Sequence, residues 1–364
     1  MPRIELRNVS KRFGKIVAVN TTNLTIEDGE YLSIVGPSGC GKTTLVKLIS
    51  GVWESTEGQI LIDGKDMANV PTEDRDLGYV FQGIELFPHM TVWENTTYAP
   101  RVKDWPDEEL VKTGEDSLRL VNLLQMRGVF PNQLSGGAQQ KTGIARALAT
   151  KAKLIILDEP LSALDARVRI DLRYELRRLV KRLGLTAIHV THDQEEALSV
   201  ADRTVVMKKG EIVEIGTPRQ LYEKPRHIFT ANFVGEGNFL EGSVKRMPGK
   251  WCQIELRNEQ FLFVPPMDVT EGDALVLFTR PENLKFCKDF SANSVPGEVR
   301  EVQFMGSFLR YEVMLATDDP VLIDSPIQHE RVYAGDRVMV EFNPTDTLVF
   351  ERPPEGLREV LRLE

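Results

Sequence analysis

The sequence predicts a two-part fold: an α/β unit built on a mainly parallel, helix-covered sheet, then a smaller all-β unit. Two features carry this expectation. Over roughly the first 235 residues, short β-rich runs alternate with helical patterns, the signature of strands joined by crossover helices. After Gly235-Glu236-Gly237-Asn238 the texture changes to closely spaced short strands punctuated by Gly and Pro. The expected domains are therefore 1–235 and 236–364.

Each element can be justified in order. Ile4 to Val9, followed by Val17 to Ile26, reads as an antiparallel β edge. Tyr31 to Val35 reads as a strand that ends in a glycine-rich turn, and Thr43 to Ile49 as the helix after it. Leu154 to Leu157 and Thr186 to Val190 are continuous apolar-rich runs, as expected of strands buried on both faces. Between them, Asp165 can cap a long amphipathic helix through Leu183, with Gly184 as its stop. A further helical pattern runs from Lys141 to Ala149. In the second unit the candidate strands are Gln253 to Leu256, Gln260 to Val264, Ala274 to Thr279, Phe308 to Leu315, Arg337 to Phe342 and Thr347 to Phe350. Arg257-Asn258-Glu259 can close a hairpin, and the whole suggests a small barrel or sandwich.

Composition narrows the class. Hydrophobic content of 41% and charged content of 27% match an ordinary soluble globular protein. No run approaches the ~18 apolar residues of a membrane helix, and the charged N-terminus has no signal segment. Cys40, Cys252 and Cys287 have neither disulfide nor metal-ligand spacing and read as free thiols of a reducing compartment. Residues 1–235 hold 31 basic and 31 acidic residues, so the whole net charge of −9 falls on 236–364. Neither part offers the basic surface that nucleic-acid binding needs.

Three motifs carry chemistry. Gly36-Pro37-Ser38-Gly39-Cys40-Gly41-Lys42-Thr43 is a full G-x-x-x-x-G-K-T between a predicted strand and helix. Glycines let the backbone wrap phosphate oxygens, while free amides and the helix N-terminus supply positive potential. Lys42 is placed to pair with β- and γ-phosphates, and the Thr43 hydroxyl to sit on Mg²⁺. Next, the apolar run 154–157 delivers Asp158 and Glu159 at a strand's C-terminal end, where open α/β sheets bind ligands. Asp158 suits a Mg²⁺ ligand, and Glu159 a base toward an attacking water. Alternatively, such a carboxyl pair can be solvated or cap a helix. Finally, Ser135-Gly136-Gly137 precedes a helix and forms a second anion cradle. One nucleotide does not need two cradles from one subunit, so this one is expected to cap ATP bound by a second copy. A plain N-cap with glycines for tight packing is the simpler alternative.

In order, these motifs resemble those of ATP-binding cassette (ABC) transporter ATPases over residues 1 to about 235. The resemblance implies an α/β P-loop NTPase fold with an antiparallel β edge and a helical subdomain, and ATP with Mg²⁺ as cofactors. Phe13 resembles the aromatic that stacks on adenine. Residues 36–43, extended by Thr44, match the Walker A loop. Gln82, in Val80-Phe81-Gln82, matches the Q-loop glutamine, which implies contact with the metal and the γ-phosphate. Residues 134–140 resemble the signature, and 154–159 match Walker B. Asp165, in Ser162-Ala163-Leu164-Asp165, matches the D-loop, and His192, in Thr191-His192-Asp193, the switch histidine. One departure stands out: Ala138 and Lys141 replace the signature's usual glutamine and arginine, and Lys141 keeps the charge but loses a bidentate fork. His89, His189, His227 and His329 match no motif and read mainly as structural or exposed.

The tail resembles the OB-like (TOBE-type) regulatory domain of importer ATPases for sugars, polyamines, ferric iron and oxyanions, through Gly235 to Gly242 and Arg280-Pro281-Glu282-Asn283-Leu284. The resemblance implies an importer's ATPase subunit on the cytoplasmic face of the membrane. It implies a homodimer through the nucleotide-binding domains, contacting integral membrane permease subunits and, through them, a solute-binding protein. The segment from Gly83 to Asn95, including Phe87, Pro88 and Met90, is the expected permease contact. A soluble ABC ATPase acting on ribosomes or DNA is the alternative. Such proteins usually carry tandem cassettes or a coiled-coil insertion, and this chain has neither. A P-loop kinase leaves the signature, Asp165 and His192 unexplained.

Overall fold

A computed structural model describes residues 2–162, 164–247, 249–287, 293–327 and 332–362; Ala163 and His329 lie outside them. The chain divides into two compact units, with the boundary between Leu221 and Tyr222.

The first unit contains two sheets. Strands β1 (Ile4–Phe13), β2 (Ile16–Ile26), β4 (Glu57–Ile62) and β5 (Lys65–Asp66) form an antiparallel sheet in the order β2-β1-β4-β5. The second sheet contains β3 (Tyr31–Val35), β6 (Leu77–Val80), β7 (Leu154–Asp158), β8 (Thr186–Val190), β9 (Arg203–Lys208) and β10 (Glu211–Gly216), in the order β10-β9-β3-β8-β7-β6. All its pairings are parallel except that of β10 with β9. Strands β3, β7 and β8 are buried at every position, as their unbroken apolar runs require.

The helices of this unit are α1 (Lys42–Ser50), α2 (Val92–Thr96), α3 (Tyr98–Val102), α4 (Asp107–Leu120), α5 (Gly136–Leu148), α6 (Ala166–Leu183) and α7 (Gln194–Val200). Helix α6 begins and ends where its sequence demands. Asp165 accepts the Val168 amide, and Gly184 takes the left-handed conformation at φ 66°. Helix α5 starts five residues before the expected Lys141. Ser135 caps it, so Gly136 and Gly137 form its first turn despite their weak helix propensity. A cluster of Ile34, Leu45, Ile49, Ile156 and Ile188 fills the space beneath α1, and Leu157, Leu172, Leu176 and Val180 lie in a second cluster with α6. Burying each such side chain is worth about 1.5–3 kcal/mol, which keeps the strands from sliding.

The second unit contains two five-stranded antiparallel sheets around one apolar cluster that includes Leu240, Ile254, Leu277, Val313 and Phe342. The six expected strands appear, within a residue or so of their predicted ends. The hairpin at Arg257–Glu259 also appears, with Asn258 at φ 55°. Four further strands, Asn238–Arg246, Leu284–Cys287, Ser294–Phe304 and Pro320–Pro326, were not anticipated. Polar residues, Pro296 and Gly297 disguise the longest of them, and pairing with neighbours on both sides overrides that local signal.

Residues 222–235 belong to this unit, not to the nucleotide unit expected to extend to 235. The reason is Arg280. Its buried guanidinium donates to the carbonyls of Tyr222, Ala231, Gly235 and Glu236 at 2.7–3.3 Å. It also lies 4.2 Å over the Tyr222 ring and 4.7 Å over that of Phe278. Truncation would strand four carbonyls at once. Arg280→Ala is therefore expected to destabilise the second unit by about 3 kcal/mol, read as a lower urea midpoint, while surface Arg300→Ala leaves that midpoint in place.

Candidate nucleotide site

The loop after β3 is shaped by its glycines. A Cβ on Gly36 would stand 2.3 Å from the Met207 carbonyl oxygen and 2.6 Å from the Cys40 sulfur. Gly41 has φ 105°, and a Cβ there would meet the Ala18 carbonyl at 2.4 Å. Gly41 also occupies the N-cap of α1 without any side-chain cap, so the helix presents its first amides uncovered. Gly39, at φ 77°, faces open space. The Cys40 side chain is buried in the core cluster, and burial pushes its thiol pKa up. Only the backbone of Cys40 therefore remains for a phosphate. Lys42 is 5% exposed, and its ammonium donates to the carbonyls of Gly36 at 2.7 Å and Pro37 at 2.9 Å. The cation is thus held inside the loop it would serve. Ser38 is exposed on the loop, and Thr44 follows Thr43 half-buried in the first turn of α1.

The sheet order brings the remaining groups together. Strands β3, β8, β7 and β6 lie side by side and parallel. Their C-terminal ends therefore deliver the glycine loop, His192, Asp158 with Glu159, and Gln82 along one edge. The Thr43 hydroxyl stands 3.4 Å from Asp158 Oδ1, and Tyr79 on β6 donates to Asp158 Oδ2 at 3.0 Å. Burial pushes the Asp158 carboxyl above its ordinary range, against the Tyr79 hydrogen bond that favours the carboxylate. Glu159 Oε2 accepts from Gln82 Nε2 at 2.9 Å and lies 3.2 Å from His192 Nδ1. Glu159 itself adopts φ 46°, a conformation that costs a non-glycine residue energy and is held here by its amide bonding the Val190 carbonyl. The Gln82 amide nitrogen thus meets Glu159, the residue next to Asp158 in the chain.

The signature residues are built into a different surface. Ser135 Oγ accepts the Ala138 amide at 3.3 Å. A Cβ on Gly136 would make ordinary contact with Leu164 at 3.5 Å, but one on Gly137 would press on Val168 at 3.0 Å, so Gly137 lets α5 approach the start of α6. Asp165 caps α6, and among the described residues no hydrogen bond joins Ser135, Gly136, Gly137 or Asp165 to residues 36–43. Lys141 pairs with Glu175 at 2.7 Å. Phe13 is 42% exposed at the end of β1. Trp53 meets it edge-on at 5.0 Å and is itself covered by Lys47 of α1 at 4.6 Å, which links the ring to the helix that follows the glycine loop.

Two residues escaped the sequence reading. Tyr79 is one; on a half-buried strand nothing local marks its hydroxyl as a carboxylate partner. Arg146 is the other. From α5 it donates to the carbonyls of Ile84 and Glu85, at 3.2 and 2.8 Å. Those residues sit at φ 63° and 45°, which is unusual for a β-branched side chain such as Ile84. Its guanidinium also lies 5.6 Å over Phe87, whose ring packs on Tyr98. Among the described residues, no three His, Cys, Asp or Glu side chains form a metal cage, and no helix is long and apolar enough to cross a membrane.

Comparison with known proteins identifies the family. The ABC transporter family matches residues 19–162, and the TOBE domain matches 277–350. The chain is 40% identical over 333 residues to the spermidine/putrescine import ATP-binding protein of Mannheimia succiniciproducens, covering 90% of this chain and 89% of that one. To the protein of the same name from Thermotoga maritima it is 37% identical over 361 residues, covering 96% and 98%. Among solved structures, a dimeric post-hydrolysis ATP-binding cassette bound to ADP and Pi is 33% identical. It matches with a TM-score of 0.53 over 59% of this chain and 99% of its own. A Clostridium perfringens component of an ABC transporter complex matches with a TM-score of 0.57 at 26% identity, over 63% and 94%. The chain belongs to the ABC transporter ATPase family. It is an ATP-binding ATPase subunit that carries a C-terminal TOBE domain.

Two outcomes follow from the site. Gly36→Ala forces a Cβ into a backbone carbonyl and should lower the melting temperature sharply and abolish ATP binding. The Asp158 shift has a definite sign. Its folded pKa lies above the unfolded value, so its contribution to stability is fully present below the unfolded pKa and is lost as pH rises through the folded one. Asp158→Asn should therefore raise the melting temperature of the nucleotide-free protein at pH 7 and leave it unchanged near pH 3, measured by calorimetry across that range.

Proposed function

We propose that this chain energises an ABC importer by hydrolysing ATP sandwiched between two copies of itself. The observation that carries the reading is the convergence of Gln82 and His192 on Glu159, beside the glycine loop and the Thr43–Asp158 pair.

In this reading the loop from Gly36 to Thr43, with Thr44, wraps the phosphates through its amides. Lys42 exchanges its two carbonyl partners for phosphate oxygens, a short movement because its stem is already buried in place. The adenine ring stacks on Phe13. Thr43 and Asp158, with Gln82, would hold Mg²⁺. Their few oxygens suit this ion, which binds through one or two protein oxygens plus phosphates and water. When bound, Mg²⁺ supplies charge neutralisation for the phosphoryl oxygens.

Glu159 accepts the proton of the attacking water. Its hydrogen bonds to Gln82 and His192 orient that carboxylate before the nucleotide arrives, and general-base assistance of this kind is worth ~10²–10⁴ in rate. His192 and Gln82 report the γ-phosphate to the turns that carry them. Ser135, Gly136 and Gly137 cap the same phosphate from the second subunit, with Asp165 at the shared interface. The dimeric, post-hydrolysis form of the similar cassette supports this pairing. Loss of the shared phosphate reopens the pair, so nucleotide occupancy is coupled to two dimer geometries.

The names of the relatives point to spermidine and putrescine as cargo, recognised by permease subunits and a solute-binding protein. The chain would then act at the cytoplasmic face of the membrane, with residues 83–95 facing the permease and the TOBE domain regulating or bracing the dimer.

Glu159→Gln should retain ATP binding, cut turnover at least 100-fold and accumulate a closed dimer on size-exclusion chromatography with ATP; near-normal turnover removes Glu159 as the base. Ser135→Arg should leave nucleotide affinity of the single subunit intact while blocking the closed dimer. Weakened ATP binding by the monomer would refute the cross-subunit role.

A further inference from the structure

His189 sits on β8, three residues before His192, with 1% of its surface exposed. A buried imidazole is costly unless both ring nitrogens find partners. Nδ1 stands 2.9 Å from the hydroxyl of Tyr31 on β3, and Nε2 stands 3.0 Å from Oε1 of Glu196 on α7. Burial keeps the Tyr31 hydroxyl protonated well above its ordinary range. The Tyr31 hydroxyl pairs with Nδ1, and Nε2 faces the Glu196 carboxylate in a close polar contact.

The chain continues to the turn that carries His192. Glu196 is 3% exposed, and its Oε2 accepts the Thr191 hydroxyl at 2.7 Å. Thr191 Oγ1 in turn accepts the Asp193 amide at 3.0 Å. The Asp193 carboxylate accepts the Glu196 amide at 2.9 Å and faces Arg169 and Arg173 of α6 at 3.5 and 3.7 Å. Burial alone would push the Glu196 carboxyl up, but the His189 ring and the Thr191 hydroxyl outweigh it and hold it below its ordinary value. Both neighbours of His192 are therefore tied to Glu196 and, behind it, to His189. His192 itself has a side chain 55% exposed, with Nδ1 3.2 Å from Glu159 Oε2.

We propose that His189 and Glu196 are positioning residues for hydrolysis: the buried pair stiffens the 191–193 turn so that His192 stays within reach of Glu159. This rests on the roles given above to His192 and Glu159. Neither member of the pair touches the reacting atoms. Their effect is to remove conformations in which an exposed ring swings away, and misplacement of about 1 Å can cost up to 10²-fold in rate.

The test measures ATP turnover, KM for ATP and nucleotide affinity of the purified full-length chain as His189→Ala, Glu196→Gln, His192→Ala and the double variant His189→Ala/His192→Ala. His189→Ala should lower kcat about 10-fold with KM and affinity within about twofold of the parent. Glu196→Gln keeps the volume of the side chain and should show the same kcat-selective loss, so the proposal is tested even where the alanine variant folds poorly. In the His192→Ala background, His189→Ala should cause no further loss, because the pair acts only through that ring. An equal loss in both backgrounds, or a raised KM in place of a lowered kcat, overturns the positioning role while leaving His192 in the reaction. Unchanged turnover in His192→Ala alone instead overturns the assignment of His192, and this proposal with it.

Discussion

The constraint on which the rest depends is the side-by-side register of β3, β8, β7 and β6. Asp158 pairs with Val190, and Ile34 with Val190 on the other side, so the ends of these strands are level. Because β3, β7 and β8 are buried throughout, a slip of even one residue would carry charged or polar groups into the core. The strand ends are held in place by the hydrophobic effect. The glycine loop, the carboxylates, His192 and Gln82 inherit that fixed spacing although they lie far apart in the chain.

Three of the strained backbone positions lie beside the site. Glu159, Ile84 and Glu85 all adopt positive φ, and each is held by a specific partner: the Val190 carbonyl for the first, and Arg146 for the other two. Arg146 is notable because it comes from α5, the helix that Ser135 caps. That helix is therefore joined directly to the backbone that follows Gln82. Covalent neighbours could not provide that link, since about sixty residues separate the two segments.

The two glycine-rich segments differ in how they are made. Glycine at positions 36 and 41 is required by nearby carbonyls, a contact that one subunit supplies entirely. At 137 a Cβ would press on Val168 at 3.0 Å, whereas at 136 it would make only ordinary contact with Leu164 at 3.5 Å. The two glycines also leave the start of α5 bare of side chains, so close packing at 137 and an open helix N-terminus go together. A plain structural reading of Ser135-Gly136-Gly137 and a functional one are therefore compatible.

Much was legible from residues alone, for reasons that are local. Unbroken apolar runs announce strands buried on both faces, Asp165 and Gly184 announce the ends of α6, and the glycine loop announces a phosphate cradle because few other sequences allow that backbone path. What only the tertiary structure decided involves partners distant in sequence. The polar strand from Ser294 to Phe304 exists because two neighbours pair with it. Residues 222–235 join the β unit because Arg280 gathers their carbonyls. Tyr79 and His189 acquire their roles from Asp158 and Glu196, across hydrogen bonds and charge contacts that no spacing along the chain encodes.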